Sequence, residues 1–280
     1  MNLPAFIRLT RPPNSLMMFF AVIVGMVVSD SYLPSLEPII LTLATSYGLT
    51  SSSMILNDYF DREVDAVNNP SRPIPSGSVS PRSALTLSFI TAGLGLSSAL
   101  LTSLPCFTLA LTAYSVAAAY NWRLKKTGFL GNMAVSFTVV APFLYGSLVA
   151  GGPILGRVVV FALLAFLANT GREVVKGMSD VAGDAKRDVR TVARVYGVEK
   201  AALVGSALYM AAVALSPLPY LLNLVSPLYL LVVAAADAGF IYSSIKLIKS
   251  PSAEQGRRQK NLTLLWMFLA LVAFLTGSVA

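Results

Sequence analysis

Residues 35–65 read SLEPIILTLATSYGLTSSSMILNDYFDREVD, an apolar stretch that carries no charge between Glu37 and a closing group of four acids. As a helix rising about 1.5 Å per residue, residues 35–57 are long enough to cross the roughly 30 Å hydrocarbon core of a bilayer. Working outward, comparable runs recur along the whole chain. They predict nine membrane helices over residues 14–30, 35–57, 82–103, 105–122, 130–150, 154–175, 198–217, 220–247 and 261–279. The eighth is long, and Pro227 inside it predicts a kink. The 280 residues are 55% hydrophobic and only 12% charged, about half the charged share of a soluble domain. The fold class expected is all-α: a polytopic membrane bundle forming one domain over residues 1–280. Lipid offers the backbone no hydrogen-bond partners, so spanning segments must be helical, and these runs are too long and too uniformly apolar for a β-barrel.

Charge placement orients the bundle. Lys and Arg gather at the N-terminus (Arg8, Arg11) and after the second, fourth, sixth and eighth runs, while Arg157 alone falls in a loop of the other set. The positive-inside rule puts the N-terminus and the even-to-odd loops in the cytoplasm and the C-terminus outside. The first apolar run lacks a small-residue cleavage pattern and reads as a spanning helix. Basic loops beside anionic headgroups account for the net charge of +8 without nucleic acid as a partner. With no histidine and one cysteine, Cys106, the chain has no zinc site of the usual kind, no internal disulfide and no imidazole base. Catalysis must rest on carboxylates, Lys, Arg, Tyr and a bound metal.

Two acidic motifs lie at the cytoplasmic ends of predicted helices, at the start of the two longer loops, 58–81 and 177–197. In NDYFDREVD, Asn57, Asp61 and Asp65 are spaced by four and predict one helix face, which Asp58 can join. In DVAGDAKRD, Asp180, Asp184 and Asp188 repeat that spacing. Stacked carboxylates repel unless a cation sits among them, and oxygen donors without His or Cys select Mg²⁺, Mn²⁺ or Ca²⁺. Two half-sites facing each other across a cavity would suit a diphosphate bridged by metal ions. The bland alternative is solvated loop acids paired with Arg62, Lys186, Arg187 and Arg190. A single run would favour it; two runs holding four and three of the chain's thirteen acids do not.

These motifs resemble those of the UbiA family of membrane prenyltransferases. The family's N-D-x-x-D-x-x-x-D is matched by Asn57, Asp58, Asp61 and Asp65, its R-P-[IL]-x-x-G continuation by Arg72 to Gly77, and its D-x-x-x-D-x-x-x-D by Asp180, Asp184 and Asp188. The segment YNWRLKK, followed by Gly131 and Asn132, is similar to the family's tyrosine–lysine stretch. The family more often has three residues between these two, and here four separate Tyr120 from Lys125. The resemblance implies a nine-helix bundle around a lipid-open cavity with cytoplasmic caps, and Mg²⁺-dependent transfer from a prenyl diphosphate. It implies Asn57, Asp61, Asp65, Asp180, Asp184 and Asp188 as metal ligands, with Asp58 as an alternate or a partner behind them. Asp61, Asp65, Asp184 and Lys125 would carry catalysis. Arg72, Lys125, Arg172 and Lys176 would contact the diphosphate, Lys126 and Arg123 less directly, and Tyr120 would bind substrate. Arg172 and Lys176, four apart and followed by Asp180, predict one face carrying cations and then carboxylates. Segments 66–81 and 185–197 would act as lids.

The start RLTRPPNSLM, with Arg11 and Asn14, and the segment GREVVKGMSDVAGD are most similar to the archaeal ether-lipid branch of the family. That branch implies a geranylgeranyl diphosphate donor and geranylgeranylglyceryl phosphate as the lipid acceptor, whose phosphate would engage Arg11 or Arg72. An aromatic ring such as a hydroxybenzoate is the alternative acceptor. A transporter is the competing class, but its ion sites belong near the midplane between repeated halves, and these acids cluster at helix ends. Asp237 falls inside the eighth run and takes no catalytic role.

Overall fold

The apolar runs fold as helices, and their ends follow local chemistry. In the computed structural model, which describes residues 3–30, 35–151, 156–186 and 188–279, the helices are α1 (Leu3–Thr10), α2 (Pro12–Asp30), α3 (Leu36–Phe60), α4 (Arg62–Asn68), α5 (Pro81–Thr102), α6 (Leu104–Trp122) and α7 (Phe129–Val149). There follow α8 (Arg157–Met178), α9 (Val181–Lys186), α10 (Val192–Tyr196), α11 (Val198–Leu215), α12 (Leu218–Leu221), α13 (Leu228–Lys249) and α14 (Ala253–Val279), with a 3-10 turn at Leu124–Thr127. No strand occurs among the described residues. Serine–proline starts recur. Ser80 Oγ accepts from Ser83 N–H at 3.1 Å ahead of α5, and Ser103 Oγ from Cys106 N–H at 3.2 Å ahead of α6, each with proline in the first turn.

Among the described residues, eight helical stretches are long and apolar enough to cross a membrane: Leu3–Ser29, Leu36–Phe60, Pro81–Thr102, Phe129–Val149, Arg157–Met178, Val198–Leu221, Leu228–Lys249 and Ala253–Ser278. The protein is therefore a multi-pass membrane protein. The fourth predicted span is a helix, α6, but it is not among the eight; its 19 residues include Thr108, Thr112, Ser115 and Asn121. The start of the sixth predicted span, residues 154–155, lies outside the described residues. Pro227 does not kink the eighth run. It caps α13, because proline lacks an N–H and is tolerated where a helix begins, and the chain before it has already turned at Asn223, whose φ is 55°.

The chain forms two compact units. The first comprises Met1–Met26, Tyr32–Arg123 and Ala141–Pro153; the second comprises Val27–Ser31, Leu124–Val140 and Ile154–Ala280. In the first, α3 and α5 pack backbone to backbone. A Cβ at Gly48 would lie 2.6 Å from the Thr91 carbonyl oxygen, and Ser52 and Ser88 hydroxyls meet at 2.8 Å in the same seam. Small residues and hydroxyls are how membrane helices approach closely where lipid removes the hydrophobic driving force. Ala5, Leu9, Ile55, Ile74, Val79 and Ala84 form a buried cluster that fastens α1, the end of α3 and the 70s turns together around the first acidic motif. In the second unit, a cluster including Val174, Val175, Met178, Val192, Ala193 and Ala201 fastens the end of α8 to α10 and α11 around the second.

Candidate active site

The first motif crosses a helix break without losing its register. Asp61 ends α3 and precedes α4, yet its N–H bonds to the Asn57 carbonyl at 2.9 Å, and the Asp65 N–H bonds to the Asp61 carbonyl at 2.8 Å. The predicted column Asn57–Asp61–Asp65 is therefore present. Asp58 and Asp65 are 3% and 5% exposed, and buried carboxylates demand counter-charge. Arg72 provides it to both: one guanidinium nitrogen reaches Asp58 Oδ1 at 3.2 Å and also pairs with Asp65. Arg11 pairs with the same Asp58 oxygen at 2.5 Å. Arg11 stands between α1 and α2 with φ at 45°, a left-handed conformation that costs a non-glycine residue about 1–3 kcal/mol and here aims the side chain at α3. Arg11 and Asn14 both rest on Met54 Sδ, at 3.7 and 3.9 Å. Asn57 Nδ2 donates to Asn121 Oδ1 at 3.1 Å, and Asn121 Nδ2 donates to the Ser53 carbonyl at 2.9 Å. Tyr120 adjoins Asn121 on α6 and is half-buried.

The second motif departs from the expected single face. α8 stops at Met178 and α9 starts at Val181, so the run from Arg172 to Asp188 is divided. Asp184 N–H bonds to the Asp180 carbonyl at 2.8 Å, and Asp184 is 7% exposed. Asp188 lies past the end of α9 with φ at 53°, because Val189 N–H turns back to the Asp184 carbonyl at 2.9 Å and closes the helix. Its exposed carboxylate pairs with Arg194 at 3.1 Å. Arg172 and Lys176 are held by Glu173, one carboxylate oxygen to each at 2.9 Å, and Glu173 is 9% exposed. Arg172 Nε also donates to the Lys260 carbonyl at 3.2 Å. Lys125, half-buried, and Lys126, exposed, sit in the 3-10 turn, which docks against the segment after the motif through Arg190 N–H to the Lys126 carbonyl at 3.0 Å. Gly128, at φ 68°, permits that approach.

In the first motif Asp58 pairs with Arg11 and Arg72 and Asp65 with Arg72, while Glu63 takes the bland pairing with Arg62. Arg62 stacks on Tyr59 and reaches Glu63, and Arg187 lies outside the described residues. No group of three or more carboxylates stands together as a ready metal cluster among the described residues. The donor chemistry of the first motif nonetheless fits a hard cation. Each carboxylate offers about four lone-pair sites, so Asp58 and Asp65 can accept from arginine and still ligate. Asn121 is the residue sequence reasoning missed; the available signal was an amide alone in the apolar run VAAAYNW. Glu173, an acid between two cations in REVVK, reads from the sequence as able to hold a basic neighbour in place, and it does so.

The model of the UbiA prenyltransferase family matches residues 18–272. The chain belongs to the UbiA prenyltransferase family. It is thus a membrane prenyltransferase. It is 39% identical over 280 residues to the digeranylgeranylglyceryl phosphate synthase of Archaeoglobus fulgidus, covering 99% of this chain and 96% of that one. A solved structure of a digeranylgeranylglyceryl phosphate synthase superposes with a TM-score of 0.91 at 30% identity, covering 99% of both chains. A UbiA homologue from Archaeoglobus fulgidus bound to GPP and Mg²⁺ shares the fold, with a TM-score of 0.71 at 17% identity over 96% of this chain and 99% of that one.

Proposed function

We propose that this prenyltransferase moves a geranylgeranyl group from geranylgeranyl diphosphate to the free hydroxyl of geranylgeranylglyceryl phosphate. The observation that carries the acceptor is the end-to-end similarity, at 39% identity, to a relative named for that product. In this reading residues 1–280 act as one catalytic domain with nine spans, α6 being the ninth. The N-terminus and both acidic motifs face the cytoplasm and the C-terminus faces outside, a placement that the distribution of Lys and Arg supports.

The allylic carbon–oxygen bond breaks with its electron pair leaving on the diphosphate. The acceptor oxygen then bonds to the allylic carbon and loses its proton. Asn57, Asp61 and Asp65, with Asp58 beside them, would hold Mg²⁺ at the first motif and Asp180, Asp184 and Asp188 at the second, and the metal would supply charge stabilisation to the leaving group. Arg72, Lys125, Arg172 and Lys176 bind diphosphate oxygens as fixed cations, with Lys126 at the rim and Tyr120 orienting the donor. Glu173 keeps Arg172 and Lys176 in place before substrate arrives. Arg11 and Asn14 bind the acceptor phosphate. Segments 66–81 and 185–197 exclude water from the allylic cation.

The test is transfer by purified protein in detergent from radiolabelled geranylgeranyl diphosphate with Mg²⁺, offering geranylgeranylglyceryl phosphate and 4-hydroxybenzoate separately. Labelled product is expected with the glyceryl phosphate alone. Product with the aromatic acid alone overturns the acceptor and keeps the donor chemistry.

A further inference from the structure

Asn121 is the one carboxamide on α6, and its hydrogen bonds have a direction. Its side chain reaches the Ser53 carbonyl oxygen at 2.9 Å and Ser53 Oγ at 3.3 Å. A main-chain carbonyl only accepts, so the nitrogen of Asn121 must face Ser53 and its oxygen must face Asn57. That oxygen also only accepts, so the Asn57 group lying 3.1 Å from it must be the amide nitrogen. One backbone carbonyl on α3 thereby fixes the orientation of two carboxamides in succession. Asn121 is 4% exposed, which leaves little room for water to replace either bond.

The consequence falls on the one neutral member of the first motif. A carboxylate presents oxygen whichever way it turns. A carboxamide presents oxygen in one orientation and a pair of N–H donors in the other, and the donors repel a cation. With its nitrogen committed to Asn121, Asn57 has its oxygen directed away from that helix and available as a ligand. We infer that Asn121 is a positioning residue that locks Asn57 in the orientation in which its Oδ1 ligates the divalent cation. This rests on the reading of Asn57 as a metal ligand. Asn121 itself touches neither metal nor substrate. Its place as the penultimate residue of α6 makes that helix part of the metal site without lending it a ligand.

A double-mutant cycle separates the two ideas. Mn²⁺ alone is titrated by electron paramagnetic resonance onto detergent-purified wild type, Asn57→Ala, Asn121→Ala and the double variant, and thermal unfolding is followed without metal. Each single variant is expected to bind Mn²⁺ about 10-fold more weakly, the double variant no more weakly than Asn57→Ala, with metal-free midpoints within about 3 °C of wild type. Wild-type affinity in Asn121→Ala alongside a loss in Asn57→Ala overturns the positioning role and leaves the metal site standing. Losses that multiply in the double variant also overturn it, because Asn121 would then act independently of Asn57. Wild-type affinity in Asn57→Ala overturns the metal assignment of that residue and the inference with it. Should Asn121→Ala fail to fold, Asn121→Ser, which keeps a donor for the Ser53 carbonyl, carries the same cycle.

Discussion

The two aspartate motifs are close in spelling and differ in how their charges are managed. In the first, the motif's own carboxylates hold the cations: Asp58 and Asp65 share Arg72, and Asp58 adds Arg11. Beside the second, the cations of the preceding helix are held by a separate acid. Glu173 clasps Arg172 and Lys176, while the outermost aspartate of the motif, Asp188, is spent on an exposed pair with Arg194. The same spacing by four thus runs in register across a helix break at one site and ends in a short helix with a loose end at the other. Spacing sets which residues can share a face; what lies across from that face sets what they do.

The harshest way to break this comparison is to delete the middle aspartate of each motif. Asp61→Ala and Asp184→Ala are each expected to lower turnover by about 10³-fold or more while the protein still folds, since several kcal/mol of transition-state charge stabilisation would be lost. Turnover under saturating Mg²⁺ checks this; a near-normal rate in either variant would show that the motifs are not partners in one reaction. Next in size is Arg72→Met. It leaves two buried carboxylates short of a counter-charge and is expected to cost about 3 kcal/mol of stability without metal, read as a lower unfolding midpoint. Added Mn²⁺ should recover part of that loss, which an effect of packing alone would not show. Glu173→Gln keeps the side chain's shape and removes its charge. Its expected signature is about a 10-fold higher KM for the diphosphate donor with a smaller change in kcat, because Arg172 and Lys176 lose their shared anchor. The smallest effect belongs to Asp188→Asn, within about 0.5 kcal/mol in stability, as befits an exposed pair. If its turnover falls as far as that of Asp184→Ala, Asp188 leaves Arg194 for the metal when the donor binds, and the contrast between the motifs belongs to the ligand-free state only.

Most of the helices were legible because a membrane span is written as a long local run. Helices α3, α5, α7 and α11 lie within a few residues of where apolar length and turn chemistry put them. Where the reading failed, the deciding fact was local but of another kind. Pro227 looks like a kink inside one run, yet the chain turns at Asn223 and α13 begins only after Pro227. The even spacing of Asp180, Asp184 and Asp188 looks like a helix face, yet α9 lasts only to Lys186. The spacing of the acids could be read because each motif lies within nine residues. The site's supports could not. Asp58 and Arg11 are 47 residues apart in the chain, and Asn57 and Asn121 are 64 apart, so only the folded chain shows which amide faces which.

Gly128 carries a consequence of a different sort. It has no side chain to offer a substrate, and its φ of 68° and its closeness to the Arg190 carbonyl leave no space for one. A single added methyl group would push the turn bearing Lys125 and Lys126 off the segment that follows the second aspartate run. A genetic screen for lost activity would therefore rank Gly128 alongside the aspartates. What it would be recording there is the shape of the main chain, and a drug or a designed inhibitor would find at that position nothing to bind.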